Sequence, residues 1–355
     1  MLNFLEHINP AYALPLALVI LLVAFYYLNL FSEYYFIPSL DRIGERLKLS
    51  SDISGSTLMA IGSSAPELAV MIISVWKSGN HEAIGIGTIV GSALFNIFVI
   101  TGAVMIIKSN AKLVWQPLIR DLVFYAVTIL ILIFSFKDGH ISIVEAGIFV
   151  GTYSVYILAL YFWKKIFPYI DLEATENNDT NDENSNRHEK ISKKILDINF
   201  YLVFVVSIFI IGVLSYALVE SAIIISGILK VPEFVIALTI IAIGTSVPDL
   251  VSSVIVAKQG RVGMAINNGV GSNIFDVLIG LGLPFLFLFI FSDRQTAEVK
   301  AAGLDLAFSF LMGSLLILLV MFLTGKWKTG RWMGYLLIIL YLVYLAFVIF
   351  GKMYV

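Results

Sequence analysis

Two pairs of segments carry the residue types best suited to binding hard cations. Ala60-Ile61-Gly62-Ser63-Ser64-Ala65-Pro66-Glu67-Leu68 returns as Ala242-Ile243-Gly244-Thr245-Ser246-Val247-Pro248-Asp249-Leu250, and Gly91-Ser92-Ala93-Leu94-Phe95-Asn96 returns as Gly271-Ser272-Asn273-Ile274-Phe275-Asp276. Ser64 stands three residues before Glu67 and Ser246 three before Asp249. Ser92 stands four before Asn96 and Ser272 four before Asp276. Each pair therefore shares one helix face. Proline removes a backbone donor and clashes with the carbonyl four residues back, so Pro66 and Pro248 free carbonyls at about Gly62 and Gly244. Carbonyl, hydroxyl and carboxylate oxygens in one place suit Ca²⁺ and Na⁺. The segments are apolar enough to lie in a bilayer, where a carboxylate needs a partner. Glu67, Asp249 and Asp276 are accordingly read as functional. The proline kinks, and the small residues at Gly91 and Gly271, also have a packing explanation.

The rest of the chain must hold these segments in a membrane. Of its 355 residues 59% are hydrophobic and only 14% charged, against roughly 25% charged in a soluble domain. Mean hydropathy is +0.93. At about 20 apolar residues per crossing, ten spans are expected at 11–38, 53–76, 82–107, 118–136, 141–163, 199–227, 233–257, 262–291, 302–324 and 332–350. The first lacks a basic leader and is long, so it reads as a retained helix and not a signal peptide. With the N-terminus outside, the outer side holds only Lys77, Lys137, Lys230, Arg294, Lys300 and Lys352, and every other Lys and Arg falls inside, as the positive-inside rule asks. Absence of a basic cluster argues against nucleic acid. Absence of cysteine excludes disulfides and thiol chemistry. His7, His81, His140 and His188 lie near segment ends, which disfavours a histidine metal cage.

One long polar connection, 164–198, divides the chain into five spans and five spans. Its centre, Asp171 to Asn186, is acidic and almost free of apolar residues, the composition of a disordered cytoplasmic loop. Those acids read as a solvated linker ahead of a regulatory Ca²⁺ site. The acceptor pattern at Asn178 carries little weight on that side of the membrane. The organisation expected is an all-α polytopic protein: 1–163 as a first five-helix repeat with its motif at 60–102, and 199–355 as a second with its motif at 242–282. An odd number of spans per half inserts the halves upside down relative to each other. That is the inverted-repeat plan, with a transport site near the midplane between broken helices.

The paired Gly-Ser/Thr-Ser-x-Pro-Glu/Asp-Leu elements, each followed by Gly-Ser-x-x-Phe-Asn/Asp, resemble the alpha repeats of the cation/Ca²⁺ exchanger superfamily. The K⁺-dependent Na⁺/Ca²⁺ exchangers are the nearest branch, and the stretch Ser32–Leu40 is also similar to its lead-in. The resemblance implies an antiporter, not an enzyme, that works by alternating access on Na⁺, Ca²⁺ and K⁺ as transported ions. It implies that Glu67 and Asp249 bind Ca²⁺ and, in alternation, Na⁺, with hydroxyls from Ser64 and Ser246 and with Ser92 and Ser272 beside the Na⁺ positions. It further implies backbone carbonyls of Ala60, Ser63, Ala242 and Thr245, and Asn96 facing Asp276 at the centre. The inner loop is short beside those of animal exchangers, which favours a compact microbial version; the plasma membrane, and a monomer or homodimer, are separate expectations.

Three carboxylates carry three negative charges when ionised, and Ca²⁺ cancels two. Either Asp276 holds a proton or a K⁺ joins the Ca²⁺; the sequence leaves both open. A Ca²⁺/H⁺ antiporter is the rival within the class, disfavoured because proton coupling needs no cage of hydroxyls and carbonyls. An intramembrane aspartyl protease using Asp249 and Asp276 is the rival outside it. The duplicated metal-ligand settings and the lack of a Gly-x-Gly-Asp element speak against that reading. A channel is disfavoured by the inverted halves. Glu33 and Glu220 are read as gate residues or as solvated helix ends, and spans 1 and 6, which lack the motifs, as the moving pair.

Overall fold

The computed structural model describes residues 10–46, 60–169, 187–299 and 303–350. Its helices are α1 (Tyr12–Ser39), α2 (Ala60–Ser63 and Ala65–Trp76), α3 (Glu82–Ile107), α4 (Trp115–Ser135), α5 (Ile143–Trp163), α6 (Asn199–Leu229), α7 (Glu233–Thr245 and Val247–Lys258), α8 (Val262–Phe291), α9 (Leu304–Thr324) and α10 (Arg331–Phe350). Eight helices among the described residues are long and apolar enough to cross a membrane, or nine if the two pieces of α7, bent by 40°, form one span. Only α2 falls short of the ten expected, and 53–59, the start of that stretch, lie outside the described residues. So do the centre of the polar connection and Asn178. Helix fills the connection's edges, running on to Ile166 and starting again at Arg187. A break at Asn199 (φ −161°, ψ 92°) then sets the start of α6, where the Asn199 side chain accepts the Leu202 N–H at 3.1 Å.

Helices dominate because a backbone in hydrocarbon must satisfy its own hydrogen bonds. Among the described residues, the connecting segments depart from helix in a pair of three-residue strands. β1 (His140–Ser142) runs antiparallel to β2 (Thr296–Glu298), with His140 opposite Glu298. Its counterpart on another pair of connections joins the segment before α4 to the segment before α10, through a bridge between Lys112 and Lys328.

At the centre α3 packs against α2 and α7, and α8 packs against α7 and α2. Outside this group α1 lies along α6, while α4, α5, α9 and α10 close the other flank. The centre is tight. A Cβ on Gly91 of α3 would collide with the Leu238 carbonyl and the Ala242 methyl of α7, whereas one on Gly147 of α5 would meet nothing within 4 Å. Gly91→Val is expected to lower the melting temperature, since overpacking costs typically about 1–3 kcal/mol. Gly147→Val should leave it unchanged. Equal melting of the two variants would mean that α3 and α7 do not meet at Gly91.

Two charged residues sit where the sequence did not place them. Arg120 is buried inside α4, not in a loop. Its Nε and Nη2 donate to the two oxygens of Asp121 at 2.7 and 3.0 Å, and the Tyr156 hydroxyl of α5 donates to the same carboxylate at 3.1 Å. Glu220 is not a solvated helix end. It is buried in α6 and ion-paired with Lys77, whose ammonium also lies 5.4 Å from the centre of the Tyr216 ring.

Candidate ion-binding site

The repeated motifs fold alike because their residues impose the same interruption. In α2 the helix breaks at Ser64 (φ −90°, ψ 5°) and in α7 at Ser246 (φ −86°, ψ 4°), each two residues before a proline. Proline at the second position of the following helix needs no partner for its missing N–H. Glu67 and Asp249 thereby enter the first turn of a new helix, where the positive end of the macrodipole favours a carboxylate. In α3 and α8 the second motif ends at a π-helical turn, Asn96–Ile100 and Asp276–Leu281, so each turn begins on a predicted site residue. A π turn releases an ordinary helical hydrogen bond and is frequent at functional sites. Here the Thr101 hydroxyl caps the Asn96 carbonyl at 3.1 Å.

The polar side chains meet across the two halves. Glu67 Oε1 accepts from Ser92 Oγ at 3.4 Å and from Ser246 Oγ at 3.3 Å, and Ser246 Oγ donates to Ser92 Oγ at 2.8 Å. Asn96 Nδ2 donates to Asp249 Oδ2 at 3.3 Å and to Asn273 Oδ1 at 3.0 Å. Ser63 and Ser272 face each other with their hydroxyl oxygens 3.5 Å apart. Each acid of the first motif thus meets a donor from the opposite half. Every one of Ser63, Ser64, Glu67, Ser92, Asn96, Thr245, Ser246, Asp249, Ser272 and Asp276 is at most 1% exposed.

Hydrogen bonds leave many of these oxygens unused. Ser64 Oγ, Glu67 Oε2, Asn96 Oδ1, Asp249 Oδ1 and both carboxylate oxygens of Asp276 are buried without a hydrogen-bond partner. Such groups are costly and call for an explanation, and oxygens of this kind are what a desolvated cation takes as ligands. No three His, Asp or Glu side chains among the described residues close on one point. The acids are instead spaced around a cage whose other corners are hydroxyls and amides.

Two of the backbone carbonyls expected to bind ions also accept hydrogen bonds from their own turns. Ala60 O already accepts from Ser64 N at 3.0 Å and Ser63 Oγ at 3.4 Å. Ala242 O accepts from Ser246 N at 3.1 Å and Thr245 Oγ1 at 3.4 Å. The carbonyl expected to be freed at Gly244 is approached at 3.4 Å by Asn29 Nδ2 of α1, which also donates to Phe25 O at 2.8 Å. Asn29 was not legible as a site neighbour, because nothing in the repeat points to α1. Asn273 stands inside the second motif, yet the sequence does not single it out as a site residue. It takes the place of Ala93, and its Nδ2 donates to the Ala93 carbonyl at 2.9 Å. An amide against a methyl in otherwise matching segments was the signal.

Comparison with known proteins gives the family and the fold. The sodium/calcium exchanger protein family model matches residues 16–162 and 199–350. Human sodium/potassium/calcium exchanger 4 is 24% identical over 496 aligned positions, which cover 92% of this chain and 79% of that protein. Among solved structures, the H⁺/Ca²⁺ exchanger CAX superposes with a TM-score of 0.70 at 17% identity, covering 93% of this chain and 82% of its own. The sodium-calcium exchanger NCX_Mj gives a TM-score of 0.57 at 25% identity, over 94% and 99%.

Proposed function

The chain belongs to the sodium/calcium exchanger protein family, and from that premise we propose that it is a Na⁺/Ca²⁺ antiporter with K⁺ as a co-transported ion. It is a multi-pass membrane protein of a family of ion exchangers and not an enzyme, and inorganic cations are its substrates. The observation that carries the reading is the set of buried, unpartnered oxygens on Ser64, Glu67, Asn96, Asp249 and Asp276 where the two halves meet.

Charge supplies the coupling. An uncompensated carboxylate in a low-dielectric interior costs of the order of several kcal/mol, so the emptied cage resists crossing between its two open states. Ca²⁺, or Na⁺ ions in its place, relieves that cost by binding Glu67 and Asp249. Ser64, Ser246, Ser92 and Ser272 add hydroxyls to the shells, together with the carbonyls of Ala60, Ser63, Ala242 and Thr245, since a carbonyl that accepts one hydrogen bond keeps a second lone pair for a cation. The third acid, Asp276, takes K⁺; the name of the human relative, a sodium/potassium/calcium exchanger, supports that assignment. The likeness to CAX, at 17% identity, speaks to the fold alone.

The packing supports alternating access. α1 and α6 lie together at one side of the cage, and Asn29 of α1 reaches the broken segment of α7. These two helices are the moving pair. Ten crossings with an outside N-terminus, as two inverted halves, are supported by which connections meet. Lys77 pairs with Glu220, His81 with Glu233, Glu82 with Arg294 and His140 with Glu298, which groups one set of helix ends. Arg42 with Asp197 and Lys112 with Lys328 group the other. The two family-matched stretches flank 163–198, as a division into repeats 1–163 and 199–355 requires. The short loop supports a microbial setting.

Vesicles loaded with Na⁺ and diluted into Na⁺-free medium with Ca²⁺ should take up Ca²⁺, faster with K⁺ present beside it. Uptake that ignores the Na⁺ gradient and follows an imposed proton gradient would replace this reading with a Ca²⁺/H⁺ antiporter.

A further inference from the structure

We propose that segments 108–114 and 325–331 together form a binding site for the phosphate headgroup of an acidic phospholipid in the adjoining leaflet. This site lies apart from the acids of the cage, and it stands whether or not the transport reading does. Five cations gather here: Lys108, Lys112, Lys326, Lys328 and Arg331, all exposed. None of them joins an ion pair among the described residues. No Asp or Glu occurs from Lys108 to Arg120 or from Gly325 to the end of the chain.

The cluster is built, not merely accumulated. Asn110 N donates to Thr329 O at 2.8 Å, Leu113 N to Trp327 O at 2.8 Å and Thr329 N to Ala111 O at 3.1 Å. The buried Thr329 hydroxyl donates to Lys108 O at 2.7 Å and accepts from Ala111 N at 3.0 Å. This lacing sets Lys112 directly opposite Lys328, although like charges facing each other across a strand pair are destabilising. Asn110, Lys326 and Trp327 hold left-handed backbone (φ 62°, 51° and 58°), a conformation that side chains rarely adopt. An excess of positive charge that served orientation alone would need neither the opposition nor the strain.

The position identifies the source of the anion. Trp115 and Trp332, 46% and 59% exposed, stand in the first turns of α4 and α10. Exposed tryptophans at the ends of spans mark the boundary between headgroups and hydrocarbon. The ammonium groups one turn beyond therefore lie at the depth of lipid phosphates, where basic pockets between helices bind anionic headgroups. A free phosphate would have no use for the aromatic flank.

The test is native mass spectrometry of the full chain in detergent, titrated with phosphatidylglycerol and phosphatidylcholine. The wild type should retain phosphatidylglycerol in preference by roughly tenfold or more, and Lys112→Gln/Lys328→Gln should lose that preference. Removing the facing charges should also raise its melting temperature. Lys165→Gln/Lys258→Gln, on other connections, should keep the preference. Unchanged preference in the first variant, equal loss in the second, or displacement of the lipid by an equal concentration of inorganic phosphate would overturn the proposal. Should the first variant fail to fold, Lys326→Gln/Arg331→Gln carries the same expectation.

Discussion

Glu67→Gln is expected to reduce Na⁺-driven Ca²⁺ uptake at least about a hundredfold while the protein still folds. Glutamine keeps the shape of the side chain, and its carbonyl oxygen can still accept from Ser92 and Ser246 at the positions Oε1 now uses. What it removes is the charge behind the unpartnered Oε2. Breaking a buried charge pair by deleting one partner costs about 3–5 kcal/mol, and 1.4 kcal/mol is a factor of ten in affinity. Asp249→Asn should behave in the same way, because Asn96 Nδ2 holds only one of its oxygens. Two measurements separate loss of the site from loss of the fold. Wild-type protein should gain thermal stability with saturating Ca²⁺, by about 2.7 kcal/mol at a hundred times Kd. The Glu67→Gln protein should melt no lower than wild type without Ca²⁺ and gain little on its addition. Full transport by either variant would place the Ca²⁺ ligands elsewhere.

Asp276→Asn is the second large effect, and it is qualitative. Both oxygens of Asp276 lack a hydrogen-bond partner, in contrast to the acids in the first turns of the broken helices, each of which has one oxygen engaged. Its repeat partner Asn96 is neutral and already donates to Asp249 and Asn273. Neutralising Asp276 leaves two carboxylates, which one Ca²⁺ balances without help. Ca²⁺ uptake by the variant should therefore become insensitive to K⁺, with the flux retained, whereas wild-type flux rises with K⁺. A variant that still responds to K⁺ would move the K⁺ position away from Asp276. If wild-type flux ignores K⁺ but varies with pH and the variant's does not, the third charge is met by a proton at this position.

What could be read from the chain followed from repetition and from cost. Glu67, Asp249 and Asp276 were legible because a carboxylate in an apolar segment has no cheap explanation, and the serines because their spacing put them on the same faces. The break at Ser64 and at Ser246 followed from Pro66 and Pro248 alone. Contacts that join segments remote in sequence left no such mark. Asn29 reaches Gly244 from a helix with no motif, and Arg120, within the expected span 118–136 but counted with the inner-side cations, is buried on the carboxylate of the next residue. Glu220 reads as a gate residue or a solvated end because its partner, Lys77, belongs to the other half. That the carbonyls of Ala60 and Ala242 also accept donors from their own turns is likewise unmarked in the sequence. Local torsions decide that, and sequence does not print them.

The stitching of the connections has a consequence for how the chain is made. His140 cannot meet Glu298, nor Lys112 its opposite at Lys328, until most of the polypeptide has been synthesised. During translation the first half must wait in the membrane with those connecting segments unpaired, and contacts so distant in sequence are slow to form. Premature termination after the polar connection would leave an inserted but unfinished half, with Glu67 lacking the donor it receives from Ser246. The connecting strands pair, and Glu67 meets Ser246, only once segments on both sides of the polar connection are present.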